Sequence, residues 1–390
     1  MSEKTLKPSI RFKGFTEDWE QCKWINTVDI STNMVDPRSG EYDELPHIAP
    51  GNIESFTGQL YDNVKLVKEE NLISGKFHFY KDDIIYGKIN PQLGKYIFSK
   101  IEGLTSADAY VLNAKNDLKQ EFLFSIIQTV NFYEYTVSVS KRSGMPKINR
   151  NELNYYNFFM PVSEEQIKIG RLFLKIDNLI TLHQRKYDKL LNIKKSLLEK
   201  MFPQNGELIP QIRFKGFTED WEQRKCSEIS NRYDNLRIPV AESKRISGNT
   251  PYYGANGIQD YVEGFTHNGE YVLVAEDGAN DLKNYPVQYV NGQIWVNNHA
   301  HVLQSTAENS TMFLKYLINS ADIESVLVGG GRAKLKANVL MDLIFNLPSK
   351  SEQENIAQLF FKVESLITLH QRKLEKLKNI KKSLLEKMFV

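Results

Sequence analysis

The sequence predicts an α+β protein in which two globular heads, related by a pseudo-twofold axis, are separated by a long antiparallel two-helix coiled coil. Three observations predict it. The stretch IRFKGFTEDWEQ occupies 10–21 and recurs unchanged at 212–223, a shift of 202. A stretch rich in Leu and Lys occupies 179–202 and recurs at 366–389 with three changes in 24 positions, a shift of 187. Between short and long repeats lie two blocks, 22–160 and 224–347, that share little sequence, the second being 15 residues shorter. One plan therefore occurs twice, and the chain divides into a head (1–160), a helix (161–202), a second head (203–347) and a second helix (348–390).

Each block carries strand and helix signals in the same order. Asp82 to Tyr86 and Glu270 to Val274 are rich in β-branched and aromatic residues, as buried strands are. Ala109 to Leu112 and Ala300 to Leu303 form a later strand of the same order, and apolar spacing predicts helices over 122–133 and 312–323. Such a mixture within one block of ordinary domain size predicts an α+β head.

After each block comes a helix with a signalled start. Pro161 and Pro348 precede it, Ser163 or Ser351 offers an N-cap, and acidic residues fill the first turn. With Ile169 at position a, the heptad places Ile169, Ile176, His183, Leu190 and Leu197 at a, and Leu172, Leu179, Lys186, Ile193 and Lys200 at d. Phe173, Ile180, Tyr187 and Met201 form a flanking stripe. The second helix repeats the pattern with Ile356, Val363, His370, Leu377 and Leu384 at a, and Leu359, Leu366 and Ile380 among its d positions. A stripe sustained over about five heptads predicts a two-stranded coiled coil. Pro203, Gly206 and Pro210 stop the first helix, leaving a connector of about ten residues. A direct repeat joined so tightly closes most simply with the helices antiparallel. The expected core is then Ile169, Leu172, Ile176, Leu179, Leu190, Ile193 and Leu197 against Ile356, Leu359, Val363, Leu366, Leu377, Ile380 and Leu384, with His183 and His370 as a polar layer that fixes register. A helix of some 36 residues is about 54 Å long, so the heads are expected to stand far apart.

Composition excludes several classes. No stretch of 18 apolar residues is present, so no membrane span is expected. The start is charged and lacks an apolar core, unlike a secretory signal, and two distant cysteines, Cys22 and Cys226, suit a reducing cytoplasm. The formal net charge of +2 hides a segregation: residues 166–202 carry +6 and 353–390 carry +4, so the remainder carries −8. Any DNA-binding surface on the heads must therefore be a local basic cluster. Lys141, Arg142 and Lys147 flank Gly144 in the first block, and Arg332, Lys334 and Lys336 follow a triple glycine in the second. Glycines let a backbone approach phosphates and the basic side chains neutralise them. Base readers are expected among Lys88, Asn90, Gln92 and Lys95 in the first block and Asn256, Asn297, Asn298 and His299 in the second, since these side chains match base edges.

Signatures of catalysis are missing. Gly94 and Lys95 lack the spacing of a phosphate-binding loop, and no His-Glu-x-x-His or Gly-x-Ser-x-Gly occurs. His299 and His301 are expected to have no Cys or carboxylate ligand nearby, so no metal site is expected. Asn90-Pro91 is followed by Gln92, not by the Pro and aromatic with which adenine methyltransferases hold a flipped base. A reader and scaffold fits better than a catalyst.

The repeats and motifs together resemble the specificity subunit of type I restriction–modification enzymes. The resemblance rests on the helix openings Pro161-Val162-Ser163-Glu164-Glu165-Gln166 and Pro348-Ser349-Lys350-Ser351-Glu352-Gln353, on the RFKGFTEDWEQ starts, and on Gly254-Ala255-Asn256-Gly257, Glu276-Asp277-Gly278-Ala279 and Asn298-His299-Ala300. In the first block Arg142, Ser143 and Gly144 stand where the family has a glycine-rich loop. The resemblance implies target-recognition domains that read the two halves of a bipartite asymmetric site on double-stranded DNA. It also implies docking of two modification subunits that methylate adenine, and through them of restriction subunits, with no cofactor on this chain itself. A coiled-coil adaptor without DNA binding is the competing reading.

Overall fold

The computed structural model describes residues 7–141, 144–204, 206–329 and 333–390. The chain forms two compact units, 1–185 with 370–390 and 186–369. Each contains one head together with part of both long helices, Ser163–Lys200 and Lys350–Lys387. None of the described helices is long and apolar enough to cross a membrane.

In unit 1 a four-stranded antiparallel sheet runs in the order Val28–Ile30, Ala109–Ala114, Ile84–Gly87, Tyr96–Phe98. Its register sets Val111 opposite Ile85 and Ile85 opposite Ile97, an apolar row on one face of the pleat. A second, five-stranded sheet carries Lys76–Phe79 and Gly103–Thr105 at its centre. The expected helix over 122–133 is two helices, Gln120–Ile126 and Val130–Val139. Thr129 stands between them in an extended conformation and its hydroxyl accepts from the Phe132 N–H at 3.3 Å, so a capping residue breaks what apolar spacing alone joined.

Unit 2 repeats the sheet order with its third and fourth strands longer: Ser230–Arg232, Ala300–Ser305, His267–Ala275, Val287–Val296, then Ser247–Gly254 and Gly257–Val262. Its helix is Thr311–Asn319, capped by the Ser310 hydroxyl. Three bulky residues, Trp221, Phe313 and Phe360, are fully buried in its core, as Trp19, Phe122 and Phe173 are in unit 1.

The repeated sequences lock each unit. In unit 1 the Arg11 guanidinium makes a bidentate pair with the Glu165 carboxylate, both contacts at 2.8 Å, and Glu165 is fully buried. Arg213 and Glu352 repeat the pair in unit 2 at the same distances. The next residue also repeats: the Gln166 amide oxygen accepts from the Lys119 N–H, and that of Gln353 from the Ser310 N–H. The short repeat reaches a helix end as well, since the Ile10 N–H donates to the Lys387 carbonyl in unit 1 and the Ile212 N–H to the Lys200 carbonyl in unit 2, each at 2.9 Å.

Within each unit the helices run antiparallel. Asp177 pairs with Lys381 at 2.6 Å in unit 1, and Lys194 with Glu364 at 2.8 Å in unit 2. These are one contact made twice by positions 187 apart. His183 and His370, both half-buried in unit 1, meet with their Nδ1 atoms 2.8 Å apart, so one ring donates and the other accepts. The apolar seam differs from the expected one. Ile169, Phe173, Ile176 and Ile180 are buried in unit 1, and Ile356, Phe360 and Val363 in unit 2. Leu172, Leu190, Leu197, Leu359, Leu377 and Leu384 are half-buried. Leu179, Ile193, Leu366 and Ile380, expected in the core, are 36%, 37%, 44% and 39% exposed. The a positions Ile169, Ile176, Ile356 and Val363 are inside as expected, but Phe173, Ile180 and Phe360 beside them take the inner place expected of the d positions. The physical reason lies in the heads: each helix packs a head as well as its partner, and Phe173 and Phe360 turn into the head cores. An added Cβ at Gly170 would lie 2.6 Å from the Glu121 Cβ and 2.8 Å from the Phe122 nitrogen, so only glycine admits this contact.

Candidate nucleic-acid interface

Backbone hydrogen bonds identify one and the same junction in each head. In unit 1 the strand Ile84–Gly87 runs out into Lys88, whose N–H donates to the Asp108 carbonyl at 2.9 Å while its carbonyl accepts from the Ile148 N–H at 3.0 Å. In unit 2 the strand His267–Ala275 runs out into Glu276, whose N–H donates to the His299 carbonyl at 2.9 Å while its carbonyl accepts from the Leu335 N–H at 2.8 Å. Single bridges follow in both, Ile89 with Lys147 and Asp277 with Lys334. The ring at the second residue of the next strand, Ala109–Ala114 or Ala300–Ser305, repeats too: the Tyr110 hydroxyl donates to the Ile148 carbonyl at 3.1 Å, and His301 Nε2 lies 2.9 Å from the Leu335 carbonyl. Lys88 thus occupies the place of Glu276, Asp108 that of His299, and Lys147 that of Lys334. Both basic loops singled out in the sequence return through this junction.

The side chains on this shared frame differ in charge. Lys88 is half-buried with its Nζ 5.2 Å from the centre of the Tyr110 ring, and the Arg150 guanidinium lies 5.6 Å from the same ring. Burial, and then the neighbouring Lys147, hold the Lys88 amine below its ordinary value. In unit 2, Glu276 takes Arg237 and Lys334, each at 2.8 Å, and Asp234 takes His301 Nδ1 at 2.7 Å. Burial pushes the Glu276 carboxyl up, but Lys334 and Arg237 outweigh it and hold it below its usual range. Asp234, Glu276 and His301 present ligand atoms within 4.8 Å of one another, but Arg237 and Lys334 already supply the countercharge, so the cluster is an ion network.

The other expected DNA contacts are placed as follows. Asn90 sits in the left-handed region (φ 51°) and its N–H donates to the Pro146 carbonyl at 2.8 Å, while Gln92 is exposed beside it. Lys95 turns inward: its ammonium donates to the Ile53 carbonyl and lies 5.4 Å from the Tyr61 ring centre. Lys141 is exposed and Lys147 half-buried. In unit 2, Asn256 holds a loop by bonding the Gly278 carbonyl and the Asn280 N–H, both at 2.9 Å. Asn297 is 4% exposed and its side chain accepts from the His299 N–H at 2.8 Å. Asn298 and Lys336 are exposed, and His299 Nδ1 meets the Asp277 carboxylate at 2.6 Å. Arg142 and Arg332 lie outside the described residues. Arg150 closes the basic run that begins at Lys141, whereas Arg237 escaped the sequence reading, its only signal being a lone Arg beyond a short strand.

Two heads on one frame, each joined to helices that carry the excess positive charge, define a duplicated recognition protein. Residues 29–192 and 218–379 each match the type I restriction modification DNA specificity domain, and with both repeats matched the chain belongs to that family. It is 43% identical over 138 residues to a type I restriction enzyme specificity subunit of Haemophilus influenzae, covering 35% of this chain and 36% of the relative. It is 32% identical over 200 residues to the EcoDI specificity subunit of Escherichia coli, covering 50% of this chain and 44% of the relative. The matched segments thus span less than half the length of these two relatives. The fold is that of the type I S subunit of M. genitalium, with a TM-score of 0.73 at 12% identity over 98% of this chain and 99% of that one.

Proposed function

We propose that the chain is the DNA-specificity subunit of a type I restriction–modification complex in the cytoplasm, each head reading one half of a bipartite asymmetric site on duplex DNA. The observation that carries the reading is the pair of family matches, one for each repeat. The junction supports it, because it brings a basic loop, a strand end and exposed polar side chains to one place in each head. The heads supply recognition and the helices set the spacing of the half-sites. Methyl transfer and cleavage belong to partners, two modification subunits and, through them, restriction subunits.

The helices carry a repeated surface suited to such partners. Leu179, Leu182 and Ile380 are exposed on the helices in unit 1, and their counterparts 187 positions away, Leu366, Leu369 and Ile193, are exposed in unit 2. One patch made twice suits two copies of one partner. Duplex binding by the chain with its modification subunit tests the reading. A steep fall of affinity with salt is expected from phosphate contacts, and no binding, or a flat response, favours the adaptor.

A further inference from the structure

We propose that the junction of the first head is a seat for a backbone phosphate of the duplex, held by Lys88 and Lys147, and that the second head has replaced this seat by an internally neutralised network. The proposal rests on the DNA-specificity reading above and deepens it by assigning two residues to affinity instead of base choice.

The argument is a comparison of equivalent positions. Lys88 stands on the frame position that Glu276 occupies in unit 2, with matching backbone bonds on either side. In unit 2 that glutamate neutralises Lys334, the counterpart of Lys147, and Arg237 as well. In unit 1 a cation takes the glutamate's place and the lysine on the loop remains. Three cations, Lys88, Lys147 and Arg150, then gather at one junction. Among the described residues no carboxylate comes within 4.0 Å of their charged nitrogens. Two acids stand nearby: the exposed Asp108 carboxylate, beyond 4.0 Å, favours the charged Lys88 but is outweighed by the opposing Lys147, and the Glu152 carboxylate accepts from the Asn149 N–H at 2.6 Å. Arg150 is spent on structure, donating to the carbonyls of Ile30 and Ser31, each at 2.6 Å. Lys88 and Lys147 are left as cations crowded at a loop that also presents exposed Lys141. Like charges held together by a fold with only a distant countercharge are relieved by an external anion, and a duplex supplies phosphates at regular spacing.

The test is the slope of log affinity against log salt for duplex DNA bearing the recognised site, measured on the chain assembled with its modification subunit. Lys88→Ala and Lys147→Ala are each expected to lower the slope by about 0.9. Across a fourfold rise in salt, each variant should then lose about 3.5-fold less affinity than the parent. Preference at every base should be unchanged, and Lys88→Arg should restore the parent slope. Lys334→Ala should change the slope by less than half as much as Lys147→Ala. The proposal is overturned if the two alanine variants bind with the parent slope, if they relax preference at one base, or if Lys334→Ala matches Lys147→Ala. Should the parent complex itself fail to bind duplex, the DNA-specificity reading falls first. A thermal melt of each variant separates loss of contact from loss of fold.

Discussion

Removal of the Glu165 carboxylate, by Glu165→Gln, should open unit 1 and leave unit 2 intact. Glu165 is fully buried and Arg11 only 11% exposed, and the two make a bidentate contact of 2.8 Å on both arms. The variant takes from a largely buried guanidinium its bidentate carboxylate, leaving only the weaker fields of Asp18 and Glu17 and the Glu17 carbonyl, a change that costs about 3–5 kcal/mol. For a body the size of unit 1, each kcal/mol moves a thermal midpoint by about 2–4 °C, so the transition of unit 1 should fall by about 6–20 °C. Calorimetry of the whole chain reads this directly, because Arg213 and Glu352 hold unit 2 by an independent copy of the pair. Arg11→Met combined with Glu165→Leu should recover most of the loss, since an apolar pair of similar volume avoids desolvating two charges. A single variant costing under about 1 kcal/mol, which is the range of an exposed surface pair, would refute the reasoning, as would a double variant that costs the sum of the two singles.

Two further outcomes follow from the packing and the ion network. Phe173→Ala should destabilise unit 1 by about 3–5 kcal/mol, whereas Leu179→Ala, at a position 36% exposed, should cost a small fraction of that; equal losses in urea unfolding would return the seam to the register expected from sequence. For Asp234, burial pushes the carboxyl up, but His301, the Val302 N–H and Arg237 outweigh burial and hold it below its usual range. Its stabilisation of unit 2 is therefore present above the ordinary value of about 3.9 and is lost as pH falls through the lower folded value; Asp234→Asn should flatten the acid limb of the unfolding midpoint against pH, and an unchanged limb would contradict the assignment.

The repeats made the duplicated plan legible because a long apolar stripe and an identical start can be matched without any knowledge of contacts. The buried face of the helices was not legible in the same way. Phe173 and Leu179 both sit on apolar stripes, and packing against the head, where Phe173 joins Trp19 and Phe122 in one core, decides which stripe turns inward. Sequence could have suggested the clamp of Arg11 with Glu165, since Arg213 and Glu352 recur in the same two motifs, but residues 154 apart carry no local sign that they touch. The junction was legible only in part: the paired strands and basic loops already align Lys88 with Glu276 and Lys147 with Lys334, but their meeting at one place rests on backbone bonds that leave no motif. Asn297 and Lys95 show the converse, polar side chains of a type that suits base edges but turned inward to hold backbone and neighbouring loops.

The most direct test of the DNA-specificity reading is a head exchange with the methylation pattern as readout. Residues 22–160 are replaced by the matching segment of a relative that reads a different site, and the chimera is expressed with its modification subunit. Genome-wide mapping of methylated adenines should show one half of the recognised site changed to that of the donor, with the other half retained. A pattern in which neither half changes, or in which both change together, would contradict the assignment of one half-site to each head.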